Sequence, residues 1–218
     1  MFVIPSTLTP AASTSTAPVV IAVLALFFTI FSFWWLQARK GGVKGFEPPT
    51  YAGAASAKEF RLRLPVVLYN SGARTRVVCG VRLAIDTGLS ETVLSWMTFR
   101  TTIKPDTNDV VDFPSPYVIA GRAAELRFIE FVGVFAGGLP EPRDYSARFE
   151  IQLDGGANWL TACEFVLRLG HMQHPAAYIP SPNSPASDDD VEKTRTAMIE
   201  LARLQHITLA WAPDEKEM

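Results

Sequence analysis

The chain has 218 residues, enough for one globular domain with sequence to spare. It is 48% hydrophobic and only 19% charged, so some apolar sequence is expected outside an ordinary core. Twenty basic residues against 22 acidic ones exclude the cation excess of a nucleic-acid binder, and two cysteines exclude a disulfide-dense scaffold and a four-cysteine zinc site.

Residues 18–36 read PVVIAVLALFFTIFSFWWL and carry no charge. As a helix this run reaches about 28 Å, close to the ~30 Å hydrocarbon thickness of a bilayer. Trp34 and Trp35 fall at its end, where indole rings favour the headgroup region, and Arg39, Lys40 and Lys44 follow. A cleaved signal peptide would put its cations before the apolar run and a small-residue cleavage site after it. Residues 2–17 hold no charge, so an uncleaved span over 18–38 is expected, with 1–17 as a short extramembrane tail. The basic flank predicts a cytoplasmic C-terminal domain, and the same cations can touch anionic lipid.

Residues 39–57, rich in Gly and Pro, read as a linker. Beyond them the hydrophobic period becomes two. Phe60, Leu62, Leu64, Val66 and Leu68 share one parity, with Glu59, Arg61 and Arg63 on the other, which predicts a strand covered on one face. Pro65 lacks a backbone donor and places this strand at an edge or bulge. A turn at Asn70-Ser71-Gly72 leads to a second strand over 75–85, with Val77, Cys79, Val81, Leu83 and Ile85 inward. A third is expected over 92–103, its parity blurred around Trp96, Met97 and Phe99. An acidic loop over 106–116 precedes strands at 117–120 and 123–132, and Gly137-Gly138-Leu139-Pro140 reads as a further connection. Tyr145, Ala147, Phe149, Ile151 and Leu153 alternate cleanly. After a turn at Asp154-Gly155-Gly156, Trp159, Thr161, Cys163, Phe165, Leu167 and Leu169 share a face.

About seven strands over 58–170 predict a mainly β domain built as an antiparallel sandwich. Residues 171–218 read as a Pro-rich loop followed by a helix. Ser187 ahead of Asp188, Asp189 and Asp190 marks that helix's start, and Val191, Arg195, Met198, Leu201, Ala202 and Leu204 give its stripe.

The alternating strand, the Asn-Ser-Gly turn and the second strand over 60–85 together resemble the opening hairpin of immunoglobulin- or fibronectin-like domains. Cys79, Trp96 and Cys163 resemble the immunoglobulin Cys-Trp-Cys order. That resemblance implies an immunoglobulin-like sandwich over about 55–170, an inter-sheet pairing of Cys79 with Cys163, and a binding or scaffolding role. The plain alternative is two small buried hydrophobes, since cytoplasmic thiols stay reduced.

Residues 85–94, with Asp86-Thr87-Gly88 at their head, resemble the active-site segment of retroviral-type aspartic proteases. The resemblance implies Asp86 as a catalytic carboxylate in a homodimer, and Val118-Ile119-Ala120-Gly121-Arg122 is the nearest match to the family's second element. The plain alternative is a strand end and turn. His171 and His174 could bring two imidazoles together, but no third ligand lies near them, and the acidic run at 188–190 lacks calcium-loop spacing. No cofactor is implied.

These readings favour a single-pass membrane protein whose domain is a non-catalytic interaction or assembly module. Its expected contacts are the bilayer and a protein partner, not nucleic acid. A membrane-bound aspartic peptidase using Asp86 and a ligand-sensing accessory subunit are the alternatives.

Overall fold

The computed structural model describes residues 16–39, 41–88, 90–135 and 138–212. The expected tail over 1–17 lies almost wholly outside them, as do Lys40, Leu89 and Gly137. Two compact units form, divided after Arg39.

The first unit is helix α1 (Ala17–Phe33), continued by a π-helical turn at Trp34–Ala38. Pro18 sits in the first turn, where its missing N–H costs nothing. Residues 17–37 are long and apolar enough to cross a membrane, and no α1 side chain is buried. The Thr29 hydroxyl within the helix donates to the Ala25 carbonyl at 2.8 Å, so it brings no unmet hydrogen bond into apolar surroundings. Arg39 stacks over the Trp35 ring at 4.5 Å.

The second unit is mainly β, as the alternation predicts. Its strands are β1 (Val43–Gly45), β2 (Thr50–Ala55), β3 (Phe60–Asn70), β4 (Arg76–Asp86), β5 (Glu91–Arg100), β6 (Val111–Asp112), β7 (Tyr117–Ile119), β8 (Ala124–Gly133), β9 (Asp144–Leu153), β10 (Leu160–Arg168) and β11 (Ile179–Pro182). The expected linker over 39–57 therefore holds two strands, and the expected Pro-rich loop holds a third. Their Gly and Pro hide the alternation, but all three pair through the backbone.

Every described strand joins one antiparallel sheet in the order β10-β9-β4-β5-β8-β3-β2-β11, with β1 on β3, β6 on β5 and β7 on β4. The sheet curls into a half-barrel, where the turn signals predict two separately bonded layers. The reason lies in long strands and bulges. Each of β3 and β4 runs eleven residues and is paired along both edges, and bulges at Val78/Gly80, Trp96/Thr98 and Thr161/Cys163 add local twist. A coiling sheet covers its own inner face.

The bulges also correct the parity assigned in β4 and β10 and account for its blurring in β5. In β4 the inward set is Val78, Val81, Leu83 and Ile85, so Val77 and Cys79 leave the inner face. In β5 the blurred stretch is itself a bulge, switching the buried set from Leu94 to Phe99. In β10 the bulge turns Trp159 outward, over the Arg82 guanidinium at 4.4 Å. The alternation in β3 and β9 holds throughout, with Phe60 to Leu68 and Tyr145 to Leu153 buried in the core.

Pro65 occupies an interior strand, not an edge. The Phe46 N–H bonds the Val67 carbonyl, so odd residues of β3 face β1 and β2, and residue 65 falls in the gap between those two pairings. Asn183 ties the free edge of β10 to the β1–β2 connection. It accepts from the Arg168 N–H at 2.9 Å and donates to the Val166 and Pro48 carbonyls.

Helix α2 (Asp188–Gln205) starts where the sequence predicts. Ser187 Oγ accepts the Asp190 N–H at 3.1 Å, and three aspartates occupy the first turn. The helix packs on its own sheet: Met198, Leu201 and Ala202 enter the core, and Thr194 donates to the Gly170 carbonyl at 2.7 Å.

Candidate interaction site

Asp86 ends β4 opposite Glu91 and is exposed. Its Oδ1 accepts the Gly88 N–H at 2.8 Å, Gly88 takes a φ of 81°, and Thr87 Oγ1 donates to the Ser90 carbonyl. The carboxylate thus shapes a hairpin turn, held from outside by Arg143 donating to the Thr87 carbonyl at 2.6 Å. Ile119 pairs with Arg76, at the opposite end of β4. Ten residues of strand, about 33 Å, therefore separate Asp86 from the segment 118–122. The protease-like elements are not brought together.

Cys79 and Cys163 are both free. Cys79 Sγ accepts the Gly155 N–H, while Cys163 lies where any Cβ on Gly45 would strike its own. Burial pushes the Cys163 thiol up. His171 and His174 line a cavity of about 270 Å³ with Met172, Gln173 and Ser181. His171 is fixed by the Ser184 carbonyl at 3.1 Å from Nε2 and faces the Asp190 carboxylate at 3.9 Å. Among the described residues no three His, Cys, Asp or Glu side chains gather as a metal site would need.

The densest cluster of charge lies where alternation predicts an ordinary wet face. Arg63, on the outward parity of β3, is only 1% exposed. Its Nη1 donates to the Thr102 carbonyl at 2.7 Å and to Asp109 at 2.9 Å, and its Nη2 to Glu130 at 3.1 Å. Arg100 reaches the same two carboxylates, Glu130 at 3.2 Å and Asp109 at 3.5 Å. The Tyr178 ring lies 5.1 Å from the Arg63 guanidinium. Burial alone would raise the Asp109 carboxyl, but the arginines and the Thr101 N–H outweigh it and hold it below the usual carboxylate range. Burial, then Glu130, pushes the Tyr178 phenol up.

This network fixes one loop. Asp109 accepts from the Thr101 N–H, Thr101 Oγ1 accepts from the Val110 N–H at 3.1 Å, and Arg63 holds the Thr102 carbonyl. Past Asp109 the chain turns apolar and open, with Val110, Val111, Val118 and, at 79% exposure, Phe113. Beneath this segment Trp96, Phe99 and Tyr117 pack edge to face, and Arg127 lies over the Phe99 and Tyr117 rings.

The sequence matches no family model and no curated protein. One solved structure, titled "Crystal structure of protein from Archaeoglobus fulgidus", aligns at 8% identity over 66% of this chain and 100% of its own, with a TM-score of 0.34.

Past the brace the segment presents exposed Val110, Val111 and Phe113 beside the exposed carboxylate of Asp112, whose Oδ1 accepts the Phe113 N–H at 2.9 Å. The sequence carried one sign of the brace, an acidic loop far along the chain from the arginines of β3. The alternation around Arg63 gave none.

Proposed function

We propose that the chain is a single-pass membrane protein whose β domain is a non-catalytic docking module, with segment 110–118 as the surface that meets a protein partner. The observation that carries this is the buried Arg63–Asp109–Glu130–Arg100 network ending in an exposed phenylalanine. Burying such ions brings little net stability, so their value lies in fixing a conformation. A pre-ordered loop loses less entropy on binding, and exposed apolar side chains on rigid backbone are where partner contacts concentrate. The length and composition of α1 support the span, and the cations after it support a cytoplasmic domain.

The test is site-specific photocrosslinking from position 113 of the full chain in native membranes, read by mass spectrometry. One protein species recovered repeatedly from position 113, and absent when the crosslinker sits at Ser146 on the far hairpin, is the expected result. Crosslinks to lipid alone, or the same mixture from both positions, would overturn the docking surface. Release of the intact chain from membranes by alkaline wash would overturn the anchor.

A further inference from the structure

We propose that the end of the β domain nearest the anchor in sequence carries a cleft for the phosphate of an anionic phospholipid headgroup. This rests on the reading of α1 as a span. The cleft is a cavity of about 350 Å³ lined by Gly41, Arg74, Thr75, Arg76 and Asp154. Three turns build it. Gly42 exchanges backbone and side-chain hydrogen bonds with Ser71, the Arg122 N–H bonds the Gly72 carbonyl at 2.8 Å, and Asp154 exchanges hydrogen bonds with the backbone of Val77.

The cations are positioned by different means. Arg76 is clamped, its Nε 2.7 Å from Asp154 and its Nη1 3.4 Å from the Gly41 carbonyl. Asp154 is itself committed to the Val77 N–H, so its carboxylate orients Arg76. Arg74 is exposed on a turn that the fully buried Asn70 secures, through donation to the Arg74, Ile119 and Ala120 carbonyls and acceptance from the Gly72 N–H. A fixed guanidinium, a second reachable one and the Thr75 hydroxyl form a donor set suited to phosphate oxygens.

Charge is segregated in the same direction. Lys44 is exposed on the segment bonded to this turn, so Lys44, Arg74 and Arg76 stand against Asp154 in a chain of net −2. Glu125, next along, is matched by Arg127 at 2.8 Å. The opposite end of β4 carries Asp86, beside Glu91 of β5, which is itself paired with Arg148. Gly41 follows Arg39 by two residues, at most about 7 Å of chain, so the phosphate most accessible to the cleft is that of the membrane surface. The cytoplasmic leaflet is the anionic one, in keeping with the proposed orientation.

The test places the full chain in nanodiscs of phosphatidylcholine, with and without phosphatidylglycerol, and follows hydrogen exchange of the 73–76 amides. Slower exchange with phosphatidylglycerol is expected, and Arg74→Glu should reverse it by about fivefold or more, the effect of one cation at an anionic surface. Arg74 makes its structural bond through its carbonyl, so this variant keeps the turn. Equal exchange in both lipids overturns the cleft and leaves the anchor standing. Failure of the chain to enter either disc overturns the anchor and the cleft together. Equal protection by millimolar inorganic phosphate in phosphatidylcholine discs overturns the lipid assignment in favour of a free phosphate ligand.

Discussion

Replacing Arg63 by methionine tests the central brace. Methionine keeps an unbranched apolar stem but is shorter, so the change removes the charge, its hydrogen bonds and the guanidinium's stacking on the Tyr178 ring. Asp109 and Glu130, whose side chains are 4% and 2% exposed, lose their principal partner. Breaking a buried ion pair from one side costs about 3–5 kcal/mol. Arg100 still reaches both carboxylates, which places the expected loss toward the lower end. For a domain of this size each kcal/mol moves Tm by about 2–4 °C, so R63M should unfold roughly 6–12 °C below wild type. Circular dichroism of the detergent-solubilised full chain measures this at neutral pH. The acid side adds a check whose sign is fixed. Asp109 has a lowered folded-state pKa, so its contribution is complete above the ordinary carboxylate value of about 4 and is lost as pH falls through the folded value. In R63M burial gains the upper hand and the folded value rises, so acid should cost the variant less Tm than it costs wild type. A variant within about 2 °C of wild type, with a parallel acid profile, would refute the brace.

The other predictions concern helix α2, the Asp86 turn and the exposed phenylalanine. Ser187→Ala removes the cap of α2 and should cost about 1 kcal/mol in chemical denaturation. Gly170→Ala places a methyl 2.7 Å from Ala186 Cβ and 3.0 Å from Val191, forcing α2 off the sheet at about 1–3 kcal/mol, seen as lowered Tm and faster exchange in the helix. Asp86→Asn keeps an oxygen for the Gly88 N–H, so stability should stay within about 0.5 kcal/mol of wild type. Phe113→Ala should leave Tm unchanged, since the ring is already exposed, while partner capture falls.

The sequence exposed most of this architecture wherever one face of an element was uniformly apolar. The β3 and β9 stripes, the capped start of α2 and the uncharged run of α1 all stand where alternation, capping and hydropathy put them. It misled at the bulges, because one inserted residue inverts every assignment beyond it, and Cys79 and Trp159 changed faces that way. It also missed strands whose pairing is a property of backbone alone: β1, β2 and β11 carry Gly, Ala and Pro in place of an alternating stripe. Arg63 was hidden for a third reason. An outward parity position tells which face a side chain takes, but not whether a loop some forty residues later will fold down over it.

That covering loop bears on why charge sits there at all. An apolar patch on the outer face of β3 and β8 would hold the two strands equally well, and at less desolvation cost. It would leave the path of residues 101–110 undetermined, because dispersion contacts have no direction. Asp109 has direction: one carboxylate oxygen takes Arg63 and the other takes the Thr101 N–H, so the loop can close in one register. The Thr102 carbonyl, bound to the same guanidinium, fixes the loop's other arm. Such a device gains little in stability and much in uniqueness, and it fixes the loop from which the exposed Phe113 follows. The same logic runs at the turn after β3, where buried Asn70 commits its hydrogen bonds to the backbone that presents Arg74. In both places a buried polar group fixes the backbone that carries an exposed side chain.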